Sequence, residues 1–348
     1  MTHNHRQDGA PRPTRRGCKG GPWRRRNRPV YGAIDLGSNN CRLLIAIPCR
    51  DRPKVIDAFS RIVRLGEGVD EIGSLSSAAM NRAIAALKIC RAKMVKRGVG
   101  RMRCIATAAC RAARNADAFV DQVRRETGLE LEIIDPKEEA RLAVASCREL
   151  LDLDAGNAAV FDIGGGSTEI IRVRAGATGA PEIVWWTSLP FGVITLSERF
   201  NHNRAATADF ESMAREARSL MARARESDGL DANGVDLRFL GTSGTITTIA
   251  GVHLGLARYN RSRVDGLTMT VPEIDAVTAR LVAMTRTERA AEPCVGPERA
   301  DMVLAGCAIL EAMKRLWGFA DLRVADRGLR EGMLLDLMNA DGRLRQGI

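Results

Sequence analysis

One short pattern of residues occurs twice in this chain, and the repetition restricts the folds that the chain can adopt. Residues 30–44 read VYGAIDLGSNNCRLL, and residues 160–171 read VFDIGGGSTEII. In both segments an apolar run leads to an aspartate, one apolar residue and a glycine, and a second apolar run follows a few residues later. The aspartates, Asp35 and Asp162, lie 127 positions apart. The pattern predicts a strand, a tight turn and a returning strand in each half of the chain.

The polar residues of these turns are suited to binding phosphate. A turn that contains glycines and short polar side chains offers backbone N–H groups and hydroxyls to phosphate oxygens. A carboxylate within an apolar strand also needs a partner, such as a metal ion or a hydrogen-bond donor. One copy alone would also fit a strand that ends in a loose turn. Because each half of the chain has a copy, we expect two hairpins that face each other across a cleft.

Two further glycine-rich segments follow predicted strands. Residues 236–248 read DLRFLGTSGTITT, and residues 322–332 read LRVADRGLREG. In each, a strand ends at glycines and polar residues where a helix begins, and such a helix N-terminus favours anions. Elsewhere strands and helices alternate, which predicts an α/β fold. Helices are predicted at 77–97, 115–127, 137–151, 207–226, 244–255, 272–285, 298–316 and 329–339. Further strands are predicted at 41–47, 103–107, 130–134, 158–163, 169–174, 182–187, 236–240 and 322–325. Ser76 or Ser77 is expected to cap the first helix, and Asn115 the second.

The positive charge of the chain is concentrated at its N-terminus. The net charge is +11, and residues 1–29 hold nine Lys or Arg residues and one acid. This segment has few apolar residues, so it is predicted to be a disordered tail that either attracts a polyanion or has no specific role. The near-neutral remainder argues against a dedicated nucleic-acid-binding fold. Two domains are expected, at 30–153 and 154–340, followed by a tail at 341–348, with the last helix able to pack back on the first domain.

The sequence argues against three classes of protein: those with a cysteine zinc site, those that span a membrane and those that use a histidine catalytic motif. The nine cysteines show no zinc-binding spacing, and we expect a reducing, cytoplasmic compartment without a disulfide framework. No apolar run approaches the roughly 18 residues that a membrane span needs. The four histidines form no recognisable catalytic or zinc motif, so carboxylates are the candidate catalytic groups. Glu139 is one candidate, at the start of a helix near the predicted cleft, although an acid there would also fit a simple helix-dipole role.

Six segments, in chain order, resemble the motifs of the exopolyphosphatase / guanosine pentaphosphate phosphohydrolase family. They are AIDLGSNNCRLL, IATAACRAARN, IIDPKEEARLA, FDIGGGSTE, LGTSGT and ADRGLREG, and the resemblance covers residues 30–340. That family belongs to the actin / sugar-kinase / chaperone ATPase superfamily, so the resemblance implies two ribonuclease-H-like α/β domains around a central cleft. It also implies hydrolysis of a terminal phosphate from inorganic polyphosphate or pppGpp, with Mg²⁺ or another divalent ion.

The resemblance implies roles for individual residues. Glu139 matches the general base for the attacking water, while Asp162 and Glu169 match acids that hold Mg²⁺ and position water. Glu139 and Glu169 are therefore the catalytic candidates, and Asp162 and Glu169 the metal ligands. The implied phosphate-binding residues are Gly37, Ser38, Asn39, Arg111, Gly164, Gly165, Gly166, Ser167, Gly241, Ser243 and Gly244. The expected partners are polyphosphate or guanosine penta- or tetraphosphate, with a homodimer possible, and the setting is the stringent response in the cytoplasm.

The sequence departs from the family's pattern at two of these loops. Asn40 stands where the family usually has Ser, and Ala108 stands where a Ser usually precedes the arginine, so one hydroxyl donor is missing. These two differences are expected to alter the affinity for phosphate and the choice of substrate. The chain ends at Ile348, as in short members of the family, so long-chain processivity is not expected. Two alternatives remain open: an ATP-dependent kinase or ATPase of the same superfamily, and a regulator that binds alarmone or polyphosphate with weak turnover.

Overall fold

A computed structural model describes residues 28–50, 52–153, 156–177, 179–200, 206–227 and 237–344. The predicted basic tail lies almost entirely outside these residues. The first half of the chain contains a five-stranded sheet, and the strands and helices are as follows: β1 (Tyr31–Leu36), β2 (Asn40–Cys49), β3 (Arg52–Ile62), α1 (Val69–Ile72), α2 (Ser77–Arg97), β4 (Arg101–Ala106), α3 (Ala108–Ala112), α4 (Ala116–Thr127), β5 (Glu132–Ile133) and α5 (Pro136–Cys147). A short 3₁₀ helix at Arg148–Leu150 follows α5.

The second half contains a six-stranded sheet. Its elements are β6 (Asn157–Ile163), β7 (Thr168–Ala175), β8 (Pro181–Leu189), α6 (Val193–Arg199), α7 (Ala206–Ser227), β9 (Leu237–Thr242), α8 (Ser243–His253), α9 (Arg261–Val264), β10 (Thr268–Thr270), α10 (Val271–Ala283), α11 (Arg286–Ala291), α12 (Val303–Trp317), β11 (Asp321–Val324) and α13 (Leu329–Ala340).

Both sheets have the same topology. The first runs β3-β2-β1-β4-β5, and the second, read from its hairpin side, runs β8-β7-β6-β9-β11-β10. In each sheet a three-stranded antiparallel meander comes first, and a parallel strand then joins the other side of its first strand: β4 beside β1 and β9 beside β6. This shared order confirms the predicted fold class of two ribonuclease-H-like α/β domains, and it places the two repeated turns at corresponding points of the two sheets.

Three apolar cores hold the fold together. One lies between the first sheet and the helices α2 and α4, and another packs α7, α8, α10 and α12 against the second sheet. The third core lies between the two sheets and contains apolar residues of α5 and α13 together with residues of both sheets. Burial of this much apolar surface is the main stabilising contribution to such a fold.

Helices α5 and α13 join the two halves. Helix α13 comes from the end of the chain but packs on β1, β2 and β3 of the first sheet, whereas α5 comes from the first half and packs on β7 and β8 of the second. The two helices cross in close contact, because a Cβ atom on Gly332 would overlap the carbonyl oxygen of Leu142. The hydroxyl of Tyr31 also donates to Asp341, just beyond the end of α13, at 2.7 Å. The predicted domain border near residue 154 remains a prediction.

Two local predictions differ from the structure. Asn115 occupies the position before α4 but does not cap it with its side chain; its amide instead exchanges two hydrogen bonds with the backbone of Leu75. The helix predicted to start at residue 298 starts at Val303. There the buried Arg289 guanidinium binds the carbonyl oxygens of Met284 and Ala300, which holds the preceding segment as turns. In contrast, Ser76 caps α2 as predicted, since its hydroxyl accepts from the Ala79 N–H.

The structure also bears on the cysteines and on membrane insertion. Seven cysteines of the described residues are free and buried, as expected for small apolar side chains. Cys49 is disulfide-bonded, which is an exception to the expected absence of a disulfide framework. Within the described ranges, every helix is too short or too polar to span a lipid bilayer.

Candidate active site

The two repeated hairpins open onto one cleft with a volume of about 730 Å³. Asp35 and Asp162 both line this cleft, as do the starts of α8 and α13. The shared topology of the sheets explains the arrangement, because β1 and β6 occupy the same position in their sheets and carry their aspartates to the same end. The convergence that the sequence repeat predicts is therefore present.

The two turns have the same backbone geometry and touch each other. In the first turn the Gly37 N–H donates to the Asn40 carbonyl oxygen, and in the second the Gly164 N–H donates to that of Ser167, both at 2.9 Å. A Cβ atom on Gly166 would lie 2.7 Å from the Ser38 hydroxyl oxygen. A side chain at Gly166 would therefore displace the Ser38 hydroxyl, so the absence of one lets the two turns approach closely. The predicted phosphate-binding residues Gly37, Ser38, Asn39, Gly164, Gly165, Gly166 and Ser167 all line the cleft.

The position that follows each aspartate by seven residues is its cross-strand neighbour. In the second hairpin Asp162 faces Glu169, and in the first Asp35 faces Arg42. Cross-strand neighbours lie on the same face of a sheet, so each hairpin sends two charged side chains into the cleft. Glu169 is buried and accepts a hydrogen bond from the Ser188 hydroxyl at 2.8 Å.

Glu139 reaches the cleft from the first turn of α5. The helix begins there because the Asp135 side chain accepts from the Glu138 N–H and because Pro136 occupies the first turn. Glu139 is only 8% exposed, and one Nη of Arg111 donates to its Oε2 at 2.7 Å and to the carbonyl oxygen of Ile134 at 3.0 Å. Arg111 thus contacts the predicted general base and stands behind the groups that line the cleft. Its predicted role in phosphate binding remains a prediction.

The carboxyl groups in the cleft have raised pKa values. Burial raises the pKa of Glu139 to about 7, although the charge of Arg111 opposes this, and nearby Asp162 and Asp35 raise it further. Burial likewise raises the pKa of Asp162 to about 6. The pKa of Glu169 lies well above its ordinary value because of burial and of repulsion from Glu139 and Asp162. Several mutually repelling carboxylates in one cleft are typical of a functional site and favour a bound cation.

The donor groups fit a divalent cation such as Mg²⁺. Asp162 and Glu169 are neighbouring carboxylates, and oxygen is the ligand that Mg²⁺ prefers. Among the described residues no group of three or more potential ligands is close enough to form a complete protein cage. Mg²⁺ is usually held by one or two carboxylates, several waters and substrate phosphates. Asn39 adds a buried Oδ1 atom without a hydrogen-bond partner in the described part of the chain.

The third predicted loop is only partly in the cleft. Ser243 and Gly244, at the start of α8, line it. Ser243 has a φ of 94°, a strained value for a residue other than glycine, and its buried hydroxyl has no hydrogen-bond partner within the described residues. Gly241 instead lies within β9 against Phe161, whose ring would be 2.9 Å from a Cβ atom there. Its glycine is explained by packing of the strand.

Four arginines that the sequence analysis did not single out also line the cleft, and Arg42 and Arg330 are the two of them that carry no hydrogen bond or ion pair to another described residue. Arg42 crosses it from β2, since its Nη2 lies 3.5 Å from where a Cβ on Gly244 would be. Arg330 lies in the first turn of α13, near Asp35. Neither forms a hydrogen bond or ion pair with another described residue, so both are available to an anion. A signal for Arg42 was present in the sequence, because it follows Asp35 at the spacing that separates Glu169 from Asp162.

Comparisons with known proteins give a consistent result. Residues 50–341 match the sequence model of the Ppx/GppA phosphatase family. The chain is 30% identical over 320 residues to exopolyphosphatase 2 of Mycobacterium tuberculosis, covering 88% of this chain and 97% of that protein. It is 27% identical over 314 residues to a guanosine-5'-triphosphate,3'-diphosphate pyrophosphatase of Aeromonas hydrophila, covering 90% of this chain and 60% of that protein. The crystal structure of an Aquifex aeolicus Ppx/GppA family member superimposes with a TM-score of 0.75 at 29% identity, covering 90% and 99% of the two chains.

Proposed function

Because the chain belongs to the Ppx/GppA phosphatase family and is a hydrolase of acid anhydrides, we propose that it releases the terminal phosphate from inorganic polyphosphate, from pppGpp or from both. The observation that carries the proposal is the meeting of two phosphate-type turns and several carboxylates of raised pKa in one cleft. Both substrates present a terminal phosphate at the end of a flexible anion. The cleft offers that anion the backbone of the two turns and two arginines, Arg42 and Arg330, that form no hydrogen bond or ion pair within the described part of the chain.

Glu139 is the proposed general base. Phosphoryl transfer to water has a loose transition state, so a base needs to align the water more than it needs strong basicity. The water oxygen forms a bond to the terminal phosphorus, the bond from phosphorus to the bridging oxygen breaks, and the water proton passes to the Glu139 carboxylate. The hydrogen bond from Arg111 holds this carboxylate in place and opposes the rise in its pKa.

The remaining charged groups bind and neutralise the substrate. Asp162 and Glu169 would hold Mg²⁺, which when bound neutralises phosphate charge. The facing turns supply N–H groups, and Arg42 and Arg330 supply positive charge further along the cleft. Preorganised donors of this kind account for most of the catalysis in phosphoryl-transfer enzymes.

One substitution favours a second candidate, a phosphate-binding regulator with weak turnover. The Ala108 Cβ lies 3.7 Å from where a Cβ on Gly166 would be. The hydroxyl that relatives usually carry at this position would therefore lie beside the second turn. Its loss removes a donor from the place where the turns meet, which would lower phosphate affinity there.

Phosphate release from a panel of substrates tests the proposal. Tripolyphosphate, longer polyphosphates, pppGpp and ATP are each incubated with the full chain, with and without Mg²⁺. We expect release from polyphosphate or pppGpp that depends on the divalent ion. Tight binding with negligible release would favour the regulator, and phosphorylation of an acceptor by ATP would favour a kinase.

A further inference from the structure

The end of the first sheet that lies opposite the cleft collects positive charge. Strand β1 runs toward the cleft, so its first residue, Tyr31, lies at the far end, where it pairs with Ala46 of β2 and Arg101 of β4. The turn from β2 to β3 extends beyond Ala46, and α2 ends just before β4. Asp51, at the turn itself, lies outside the described residues. Five exposed cations at this end form what we call the basic pole: Arg28, Arg50, Arg52, Lys54 and Lys96.

The protein itself leaves the charge of the basic pole without a counterpart. Within the described ranges, the side chains of the five cations form no hydrogen bond or ion pair. Two acids at this end are already engaged with other cations. Asp57 of β3 accepts from Lys93 and from Arg97, each at 2.8 Å, and Asp341 is paired with Arg101. A group of exposed, uncompensated cations raises the local concentration of polyanions.

The most basic segment of the chain joins the folded body at this same end. The carbonyl oxygen of Val30 accepts from the Gly100 N–H at 2.9 Å, which attaches the start of β1 to the residues that follow α2. Residues 1–27 precede this point and hold eight cations and one acid. The segment and the basic pole therefore adjoin each other, and a single polyanion can contact both.

The residue types of this segment favour an unpaired nucleic-acid strand as the polyanion. Seven of its eight cations are arginines, and a guanidinium both binds phosphate through two N–H groups and stacks on flat rings. Trp23 directly precedes three arginines, at 24–26, and an aromatic ring among cations is suited to stacking on exposed bases. An interfacial membrane anchor would also need an apolar helix face, whereas residues 1–27 contain no apolar run.

We propose that the basic pole and residues 1–27 together bind single-stranded nucleic acid, RNA or DNA, on a surface separate from the cleft. The cations contact the phosphates of the strand, and Trp23 stacks on a base. Contacts of this kind depend little on base sequence, so they need no dedicated nucleic-acid-binding fold. The inference goes beyond phosphate release, because it attaches the enzyme to a nucleic acid while the cleft, at the opposite end of the first sheet, stays open.

The salt dependence of binding tests the inference. The affinity of the full chain for short labelled strands of RNA and of DNA, chosen to lack base pairing, is measured by fluorescence anisotropy at several salt concentrations. The slope of log affinity against log salt falls by about 0.7 for each lost phosphate contact. We expect the triple variant Arg50→Gln, Arg52→Gln, Lys54→Gln to lower the slope by up to about 2, and deletion of residues 1–27 to lower it further. Phosphate release from tripolyphosphate should stay at the wild-type rate in both, which also shows that they fold.

Two further sets of variants separate specific contacts from general charge. The triple variant Arg215→Gln, Arg218→Gln, Arg223→Gln removes the same charge from the exposed surface of α7, in the second half of the chain, and should bind the strands as wild type does. Trp23→Ala should weaken binding by roughly tenfold, since a stacked base contributes that much or more. Trp23→Phe keeps a ring and should retain most of the affinity.

Binding of either strand with the expected losses would support the inference, and four results would overturn it. Wild type could bind neither strand at low salt, or the α7 variant could lose as much affinity as the variant of the basic pole. Tripolyphosphate at concentrations that saturate turnover could displace the strand, which would place it in the cleft. Association with phosphatidylglycerol vesicles, together with no binding of either strand, would assign the surface to a membrane instead.

Discussion

Replacing the Glu139 carboxyl by an amide is expected to make the protein more stable at neutral pH while removing most of its activity. Glu139 is buried beside other acids, and these surroundings favour its protonated form even though Arg111 donates to it. Glutamine resembles the protonated glutamate and carries no charge. The Glu139→Gln variant therefore keeps the shape of the site, removes the energetic penalty of a buried charge and loses the group proposed to accept a proton.

The size of the effect follows from the pKa. Burial raises the pKa of Glu139 from 4.5 to about 7, a difference of 2.5, and each unit corresponds to about 1.4 kcal/mol. A group with a raised pKa stabilises the fold fully below its unfolded pKa and loses that contribution as the pH rises through its folded pKa. Glu139→Gln should thus match wild type near pH 4 and exceed its free energy of unfolding by up to about 3 kcal/mol at pH 8.

Chemical denaturation at several pH values, together with phosphate release from tripolyphosphate, measures both effects. Turnover should fall by roughly 10²–10⁴-fold if Glu139 is the base. The neighbouring Glu138→Gln is the matched control, and its effect on the free energy of unfolding should be opposite. Arg141 and Arg103 hold the pKa of Glu138 below its usual value, so the charged form of Glu138 stabilises the fold. That variant should lose stability at neutral pH and keep its turnover.

Full turnover by Glu139→Gln would show that another group activates the water. A variant no more stable than wild type at pH 8 would show that the Glu139 carboxylate is not held at an energetic penalty in the folded protein. The role of Glu139 as base and the energetic penalty of its buried charge are therefore tested separately, the first by turnover and the second by stability.

Three further predictions concern other parts of the structure. Gly332→Val should lower the free energy of unfolding by roughly 1–3 kcal/mol or more, because its side chain would overlap the Leu142 carbonyl in the α5–α13 contact; the exposed Asn339→Val on the same helix is the control in a urea titration. Arg42→Gln should raise the KM for tripolyphosphate by roughly tenfold to a hundredfold, and an unchanged KM would exclude Arg42 from phosphate binding. In wild type, kcat/KM should fall as the pH drops below about 7, because Glu139 then becomes protonated; a flat profile between pH 5 and 8 would contradict its role as base.

The features that could be predicted from the sequence are those encoded locally. Strand, glycine turn and returning strand are short-range patterns, so the order of residues alone places the hairpins of Asp35 and Asp162. Ser76 and Asp135 cap their helices for the same reason. The common topology of the two sheets then brings the turns together, and the repeat itself anticipated this.

Features that depend on distant partners could not be predicted. The start of α12 is set by Arg289, which binds a carbonyl oxygen eleven residues further along the chain. The Asn115 side chain binds the backbone of Leu75, forty residues before it. Because its amide is engaged there, it does not cap α4 as predicted. Arg111 was assigned to phosphate from its motif, whereas its observed partner is Glu139.

The position of α13 has a consequence for how this protein is made. The first sheet needs a helix that is encoded at the far end of the gene, and the hydrogen bond from Tyr31 to Asp341 joins residues that leave the ribosome almost a whole chain apart. Until translation is nearly complete, one face of the first sheet therefore stays uncovered, and the nascent chain is exposed to chaperones and proteases during that time. A messenger cut short before residue 329 would yield a protein without α13, which therefore lacks Arg330 in its cleft and leaves one face of its first sheet uncovered.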